Sequence, residues 1–161
     1  MPSCDCCAID SHFDRQRVQK KLDSYRAQGP DATTKLLLNA LEAEGGAAMT
    51  LLDIGAGVGV LGHELLKAGV AKVCSVEASA AAIAAAREEA ERLGHAERAS
   101  FLHGDFVALA DEIAPADIVT LDRVICCYPD MPALVERSAQ RARQFYGAVY
   151  PRDIWWLRLA A

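Results

Sequence analysis

The parts of this sequence with the clearest chemical potential are one glycine cluster and four acidic residues. The run Asp53-Ile54-Gly55-Ala56-Gly57-Val58-Gly59 sets a carboxylate just ahead of three glycines at alternate positions. Glycine lets the main chain bring its N–H groups against a ligand, because no side chain stands in the way. Farther along come Glu77-Ala78, Gly104-Asp105-Phe106 and Leu121-Asp122-Arg123. Glu77 follows the glycines by about twenty residues, the separation at which an acid meets ribose hydroxyls in nucleoside-binding α/β units. Asp105 is suited to accept a hydrogen bond from an adenine amino group, with the Phe106 ring covering the base.

Two ligand classes compete for this pattern. Gly57, Gly59 and Gly62 also spell G-x-G-x-x-G, the dinucleotide fingerprint, which leaves a nicotinamide-dependent oxidoreductase open. Asp53 points the other way. A carboxylate beside the turn repels a pyrophosphate, whereas it offsets the charge of a cationic, phosphate-free nucleoside such as S-adenosylmethionine, which carries an ammonium and a sulfonium.

These residues need a scaffold that gathers them, and the chain supplies one by alternation. Val18, Leu22 and Tyr25 recur at helical spacing until Gly29-Pro30. Asp31 caps a second helix, which carries Leu36, Leu37, Ala40 and Leu41 inward and stops at Gly45-Gly46. Met49 to Ile54 is too short and too apolar for a surface helix, so it is a buried strand. Then follow a helix from Gly59 to Ala68, a strand from Lys72 to Glu77, a Ser79-capped helix to Gly94 and a strand from Ser100 to His103. A brief helix from Phe106 to Ile113, a strand from Asp117 to Leu121, a helix from Asp130 through Ala142 and a strand from Phe145 to Tyr150 complete the series. The alternation implies a parallel sheet of about five strands covered by helices on both faces, with right-handed crossovers. In such sheets ligands sit beyond the carboxyl ends of the strands, where Asp53, Glu77, Asp105 and Asp122 would gather.

With these residues in place, the chain from about Tyr25 to Arg152 resembles the class I S-adenosylmethionine-dependent methyltransferases. Asp53 to Gly59 is similar to their motif I, Glu77 to the ribose-binding acid, Asp105 with Phe106 to the adenine contacts, and Asp117 to Tyr128 to motif IV and the acceptor-side loop. The resemblance implies a Rossmann-like sheet with strand order 3-2-1-4-5, and donor binding by Asp53, Gly55, Ala56, Gly57, Gly59, Glu77, Ala78, Asp105, Phe106, Leu121 and Asp122, with S-adenosyl-L-homocysteine as product. Tyr25-Arg26 through Asp31, together with Asp122 to Asp130, resembles small bacterial members grouped loosely with magnesium-protoporphyrin O-methyltransferases, which implies a small-molecule acceptor, a carboxylate among the choices. Members of the superfamily usually add a sixth strand and an antiparallel seventh. Here Ile154-Trp155-Trp156-Leu157-Arg158-Leu159 reads as a helix-like fragment, so two strands are expected to be missing and strand five to be an exposed edge that invites a homodimer.

Residues 1–30 read as a Cys-rich start plus a lid helix, and 31–161 as the methyltransferase domain. The formal net charge of −5 is scattered, so nucleic acid is not an expected partner. No apolar run reaches the length of a bilayer span and no export signal opens the chain, so a cytoplasmic protein with reduced thiols is expected. Methyl transfer from a sulfonium is mainly a matter of positioning, and an ionised acceptor needs no base. Asp122, Cys126 and Tyr128 are the candidates for contact with the reacting groups. The vicinal Cys126-Cys127 either packs as small apolar side chains or captures a soft metalloid for methylation. Cys4, Cys6 and Cys7, with His12, offer soft ligands in a spacing unlike standard zinc sites. His63, His95 and His103 read as surface or capping residues, and Arg137 and Arg141 as solvated surface. A non-catalytic, donor-binding remnant is the remaining alternative.

Overall fold

Leu51, Leu52 and Ile54 divide between two faces, as successive residues of a strand must, and they seed two separate cores. Leu51 packs with Leu38, Leu41, Leu61, Leu65 and Ile118 on one face. Leu52 and Ile54 pack with Val76, Phe106, Leu121 and Leu134 on the other. The computed structural model describes residues 15–150. Cys4, Cys6, Cys7, His12 and the fragment 154–159 lie outside the described residues.

The elements are α1 (Arg15–Gln28), α2 (Ala32–Ala43), β1 (Thr50–Ile54), α3 (Val60–Lys67), β2 (Lys72–Glu77), α4 (Ala80–Arg92), β3 (Ala99–His103), α5 (Phe106–Leu109), β4 (Ala116–Asp122), α6 (Met131–Ala139) and β5 (Ala142–Val149). The five strands run parallel, as the alternation predicts, in the order β3-β2-β1-β4-β5 that the resemblance implies. Asp53 pairs across from Thr120 on β4 and Ser75 on β2, so the end of β1 lies in the middle of the sheet's carboxyl edge. Among the described residues, the outer side of β5 pairs with no further strand.

Several local readings need correction. The buried face of α2 is Thr34, Leu38 and Leu41, while Leu36 is 69% exposed. The helix is turned by its N-terminus, where Asp31 accepts from the N–H groups of Thr33 and Thr34, and the Thr34 hydroxyl donates to Asp122. The last helix stops at Ala139 rather than Ala142, because the Arg141 carbonyl accepts from the Ala116 N–H and draws the following residues into β5. Arg137 and Arg141 are not merely solvated; both pair with Asp111.

His63 and His95 are buried, contrary to the surface reading. Helix α1 lies across α3 and α4 and stacks Tyr25 on His63 at 6.4 Å between ring centroids, and the His95 ring lies 6.0 Å from His63. Burial pushes the His63 imidazole down to about 4, so it is neutral near neutral pH. Polar links from Tyr25 and Arg26 hold α1 in place. Tyr25 donates to Glu64, and Arg26 bonds Glu89, a buried carboxylate held down to about 2 chiefly by its hydrogen bond from Arg92.

Candidate functional site

The turn after β1 is built on positive φ angles that favour glycine. Gly55 (φ +68°) also has no room for a side chain, since a Cβ there would lie 2.4 Å from Val124 Cγ2. Gly57 (φ +56°) turns its N–H to Glu77, which accepts from it at 2.8 Å and from the Ser79 N–H at 2.9 Å. Glu77 is only 6% exposed, so these two amides secure a buried carboxylate and fasten the turn to the end of β2. Each oxygen retains lone-pair capacity beyond the single bond that it accepts.

Asp53 is 2% exposed and its Oδ1 accepts from the Thr120 hydroxyl at 2.8 Å. Its Oδ2 is buried with no hydrogen-bond partner. Desolvation pushes this carboxyl up to about 7, opposed by the Thr120 bond and reinforced by Asp122 and Glu77. An unsatisfied buried oxygen is costly, and a cationic group set against it would remove the cost.

Such a group has a place to sit. A cavity of about 100 Å³ opens beside Asp53, Gly55 and Ala56, with Lys21, Ser24 and Tyr25 of α1 over it and Thr34, Asp122 and Arg123 at its end. That volume holds only part of a nucleoside-sized ligand, so the remainder would extend along the strand ends. Four of the lining residues are joined by charge pairing and hydrogen bonding. Arg123, at φ +60°, bonds Asp31 at 2.8 Å and Asp122 at 3.0 Å, and the Thr34 hydroxyl donates to Asp122 at 2.6 Å.

The structure therefore brings Asp53, Gly55, Ala56 and Asp122 to one cavity, while Glu77 stands beside the turn and Asp105 beyond β3. Asp105 caps α5 through the Val107 N–H, and the Tyr128 hydroxyl lies 2.8 and 3.0 Å from its two oxygens. Residues from the β3 and β4 ends thus meet directly. Phe106 departs from expectation: its ring is 4% exposed and belongs to the core, so it does not cover a base, and only its backbone is left for a ligand. Leu121 is fully buried as well, which limits it to the same backbone role. Ala78 offers its carbonyl to His103 Nε2 at 2.9 Å.

Lys21, Ser24, Thr34 and Thr120 were not among the residues singled out from sequence. Lys21 had a readable signal, since it flanks the Val18–Leu22–Tyr25 face that seats α1. Its Nζ would lie 3.1 Å from a Cβ on Gly57, at the edge of the turn. Cys126 and Cys127 are exposed, their sulfurs 3.4 Å apart, in a short 3-10 turn (Ile125–Cys127) beyond β4. Among the described residues no set of three or more His, Cys, Asp or Glu side chains is grouped to hold a metal ion, and no helix is long and apolar enough to cross a membrane.

A parallel 3-2-1-4-5 sheet with a glycine turn after β1 and acids at the ends of β1, β2 and β4 defines a Rossmann-like methyltransferase fold. Residues 46–159 match the methyltransferase domain family, and the chain belongs to it. Magnesium protoporphyrin IX methyltransferase from Synechocystis PCC 6803 with bound SAM superposes with a TM-score of 0.66 at 25% identity, covering 86% of this chain and 72% of that one. Its complex with SAH gives 0.72 at 23% identity, over 93% and 71%. Among curated relatives, ribosomal protein L11 methyltransferase of Aeromonas hydrophila is 40% identical over 70 residues, 44% of this chain and 24% of that protein. The same-named protein of Dechloromonas aromatica is 32% identical over 104 residues, 62% and 35%. The chain thus spans about a quarter to a third of the length of these relatives.

Proposed function

We propose that this chain binds S-adenosylmethionine across the ends of β1 to β4 and transfers its methyl group to a small-molecule acceptor, with a carboxylate as the acceptor group. The observation that carries the reading is the buried, partnerless Oδ2 of Asp53, a residue that lines one cavity together with Lys21. An acid and a base across one small space suit a zwitterion: Asp53 takes the ammonium of the amino-acid end and Lys21 faces its carboxylate. The residues present fit the remainder of the donor too. Glu77, anchored by two amides, has lone pairs left for ribose hydroxyls, and Asp105 receives the adenine amino group once Tyr128 yields its place.

The donor supplies a methyl group on a positively charged sulfur. The chain contributes position and dryness: Lys21, Ser24 and Tyr25 of α1 and the Arg123–Asp31–Asp122 cluster line the cavity. A carboxylate acceptor arrives ionised, so the transfer asks no general base of the chain.

The relatives named for ribosomal protein L11 favour a second reading, a protein acceptor. Incubation with methyl-labelled donor and either small carboxylates or ribosomal protein distinguishes the two. Methyl esters release volatile methanol in mild alkali, so the proposed activity gives small-molecule label that becomes volatile. Alkali-stable label on protein would establish the second reading instead, and no transfer to either would remove the catalytic claim.

A further inference from the structure

Cys126 and Cys127 form a preorganised pair whose geometry selects among thiophilic ligands. Both thiols are exposed, with sulfurs 3.4 Å apart. The 3-10 turn fixes them. The Cys127 N–H donates to the Val124 carbonyl at 3.0 Å, the Cys126 thiol lies 3.6 Å from the Arg123 carbonyl, and Val124, Ile125 and Tyr128 pack against the core. The pair is thus presented to solvent by a segment anchored on both sides.

We infer that Cys126 and Cys127 are a chelating site for a trivalent, thiophilic metalloid of the arsenic(III) class. Two observations select this ligand. A structural zinc ion takes four protein ligands, and among the described residues no third His, Cys, Asp or Glu joins the pair. Zinc also holds its sulfurs at about 2.3 Å in a tetrahedron, which sets them ~3.8 Å apart. A pyramidal trivalent centre with similar bond lengths and angles nearer 90° brings them to roughly 3.3–3.5 Å. The thiols, already in hydrogen-bond contact at 3.4 Å, reach that spacing without rearrangement of the turn. Such a centre needs two thiols and brings its own third substituent.

The chemistry balances without an oxidant. An organic arsenoxide condenses with two thiols: two S–H bonds and the As–O linkage break, two As–S bonds form, and the oxygen leaves as water with both protons. Arsenic stays trivalent throughout. This site is independent of the donor reading, because it asks nothing of Asp53 or Glu77.

Cys4, Cys6 and Cys7 would confuse a binding measurement, so the test uses the full chain carrying C4S, C6S and C7S under reducing conditions. Phenylarsine oxide is the probe, read by intact mass. One arsenical per chain, less one water, is expected; it should survive excess glutathione, a monothiol, and be stripped by 2,3-dimercaptopropanol. Adding either C126S or C127S should abolish the glutathione-resistant adduct. Both positions are exposed, so folding is not at stake, and circular dichroism of the variants confirms this. An adduct that survives C126S, or that glutathione removes from the chain with both cysteines, overturns the inference.

Discussion

Asp53→Asn is expected to weaken S-adenosylhomocysteine binding on the order of 100-fold at pH 8 while making the ligand-free chain more stable. Both effects come from one buried charge. Removing a carboxylate that faces a ligand ammonium in a dry site costs about 2–5 kcal/mol of affinity. The stability gain follows from linkage. Burial raises this carboxyl to about 7 in the folded chain, whereas in the unfolded chain it titrates near its ordinary value of 3.8. Between those values the folded chain holds a proton that the unfolded chain has released. Stability contributed by this group is therefore complete below about pH 4 and declines as pH rises toward 7. Above that the native chain carries an uncompensated charge, which asparagine removes at nearly constant volume. A gain of about 2 kcal/mol, or roughly 5 °C in Tm, is expected at pH 8. Binding moves the opposite way with pH. The ligand ammonium favours ionised Asp53, so native affinity should fall by up to about tenfold per unit below pH 7, and the variant should show a flat profile over the same range. Calorimetric titrations from pH 5.5 to 8.5, with thermal melts, check both. Equal Tm values and parallel pH profiles would mean that Asp53 carries no such charge.

Glu77 should prove still less tolerant, and the informative substitution is the conservative one. Both partners of its carboxylate are N–H donors, from Gly57 and Ser79. In Glu77→Gln one amide meets the oxygen and the other meets an NH₂ group, so one buried donor is left facing another donor. We expect Gln to be nearly as damaging as Ala: each should reduce S-adenosylhomocysteine affinity by about 100-fold or more and lower stability by about 1–3 kcal/mol, the cost of leaving a buried polar group unsatisfied. Hydrogen exchange at the Gly57 amide should accelerate in both variants while β1 and β4 remain protected, because only the turn has come loose. Native-like affinity in Glu77→Gln would contradict this account of the turn, and a global loss of protection would mean that the variant tests folding instead.

The strands were legible because apolar runs of strand length, such as Leu51 to Ile54, alternate with glycine stops and capped helices, while their order followed from the family resemblance. The acids at the strand ends were legible from spacing alone. What sequence did not supply was the consequence of α1 lying across α3 and α4. Periodicity gives the face of that helix but not what it lands on, so the burial of His63 and His95 and the position of Lys21 over the cavity came only with the structure. Phe106 is the instructive error. An aromatic ring after Asp105 was assigned to a base, but the start of α5 turns it inward to Leu52, Val76 and Leu121, where a large apolar side chain gains more by burial. Thr120 escaped notice for a related reason. A strand hydroxyl has no signature until register places it opposite Asp53.

The central claim is that the strand ends form a seat for a cationic nucleoside without phosphates. Isothermal titration of the native chain with S-adenosylhomocysteine, and separately with NADH, tests it most directly. The account predicts saturable one-to-one binding of the nucleoside sulfide and no measurable heat from the dinucleotide. Tight binding of NADH with none of S-adenosylhomocysteine would contradict it, and would assign the turn at Gly57 to Gly62 to a pyrophosphate.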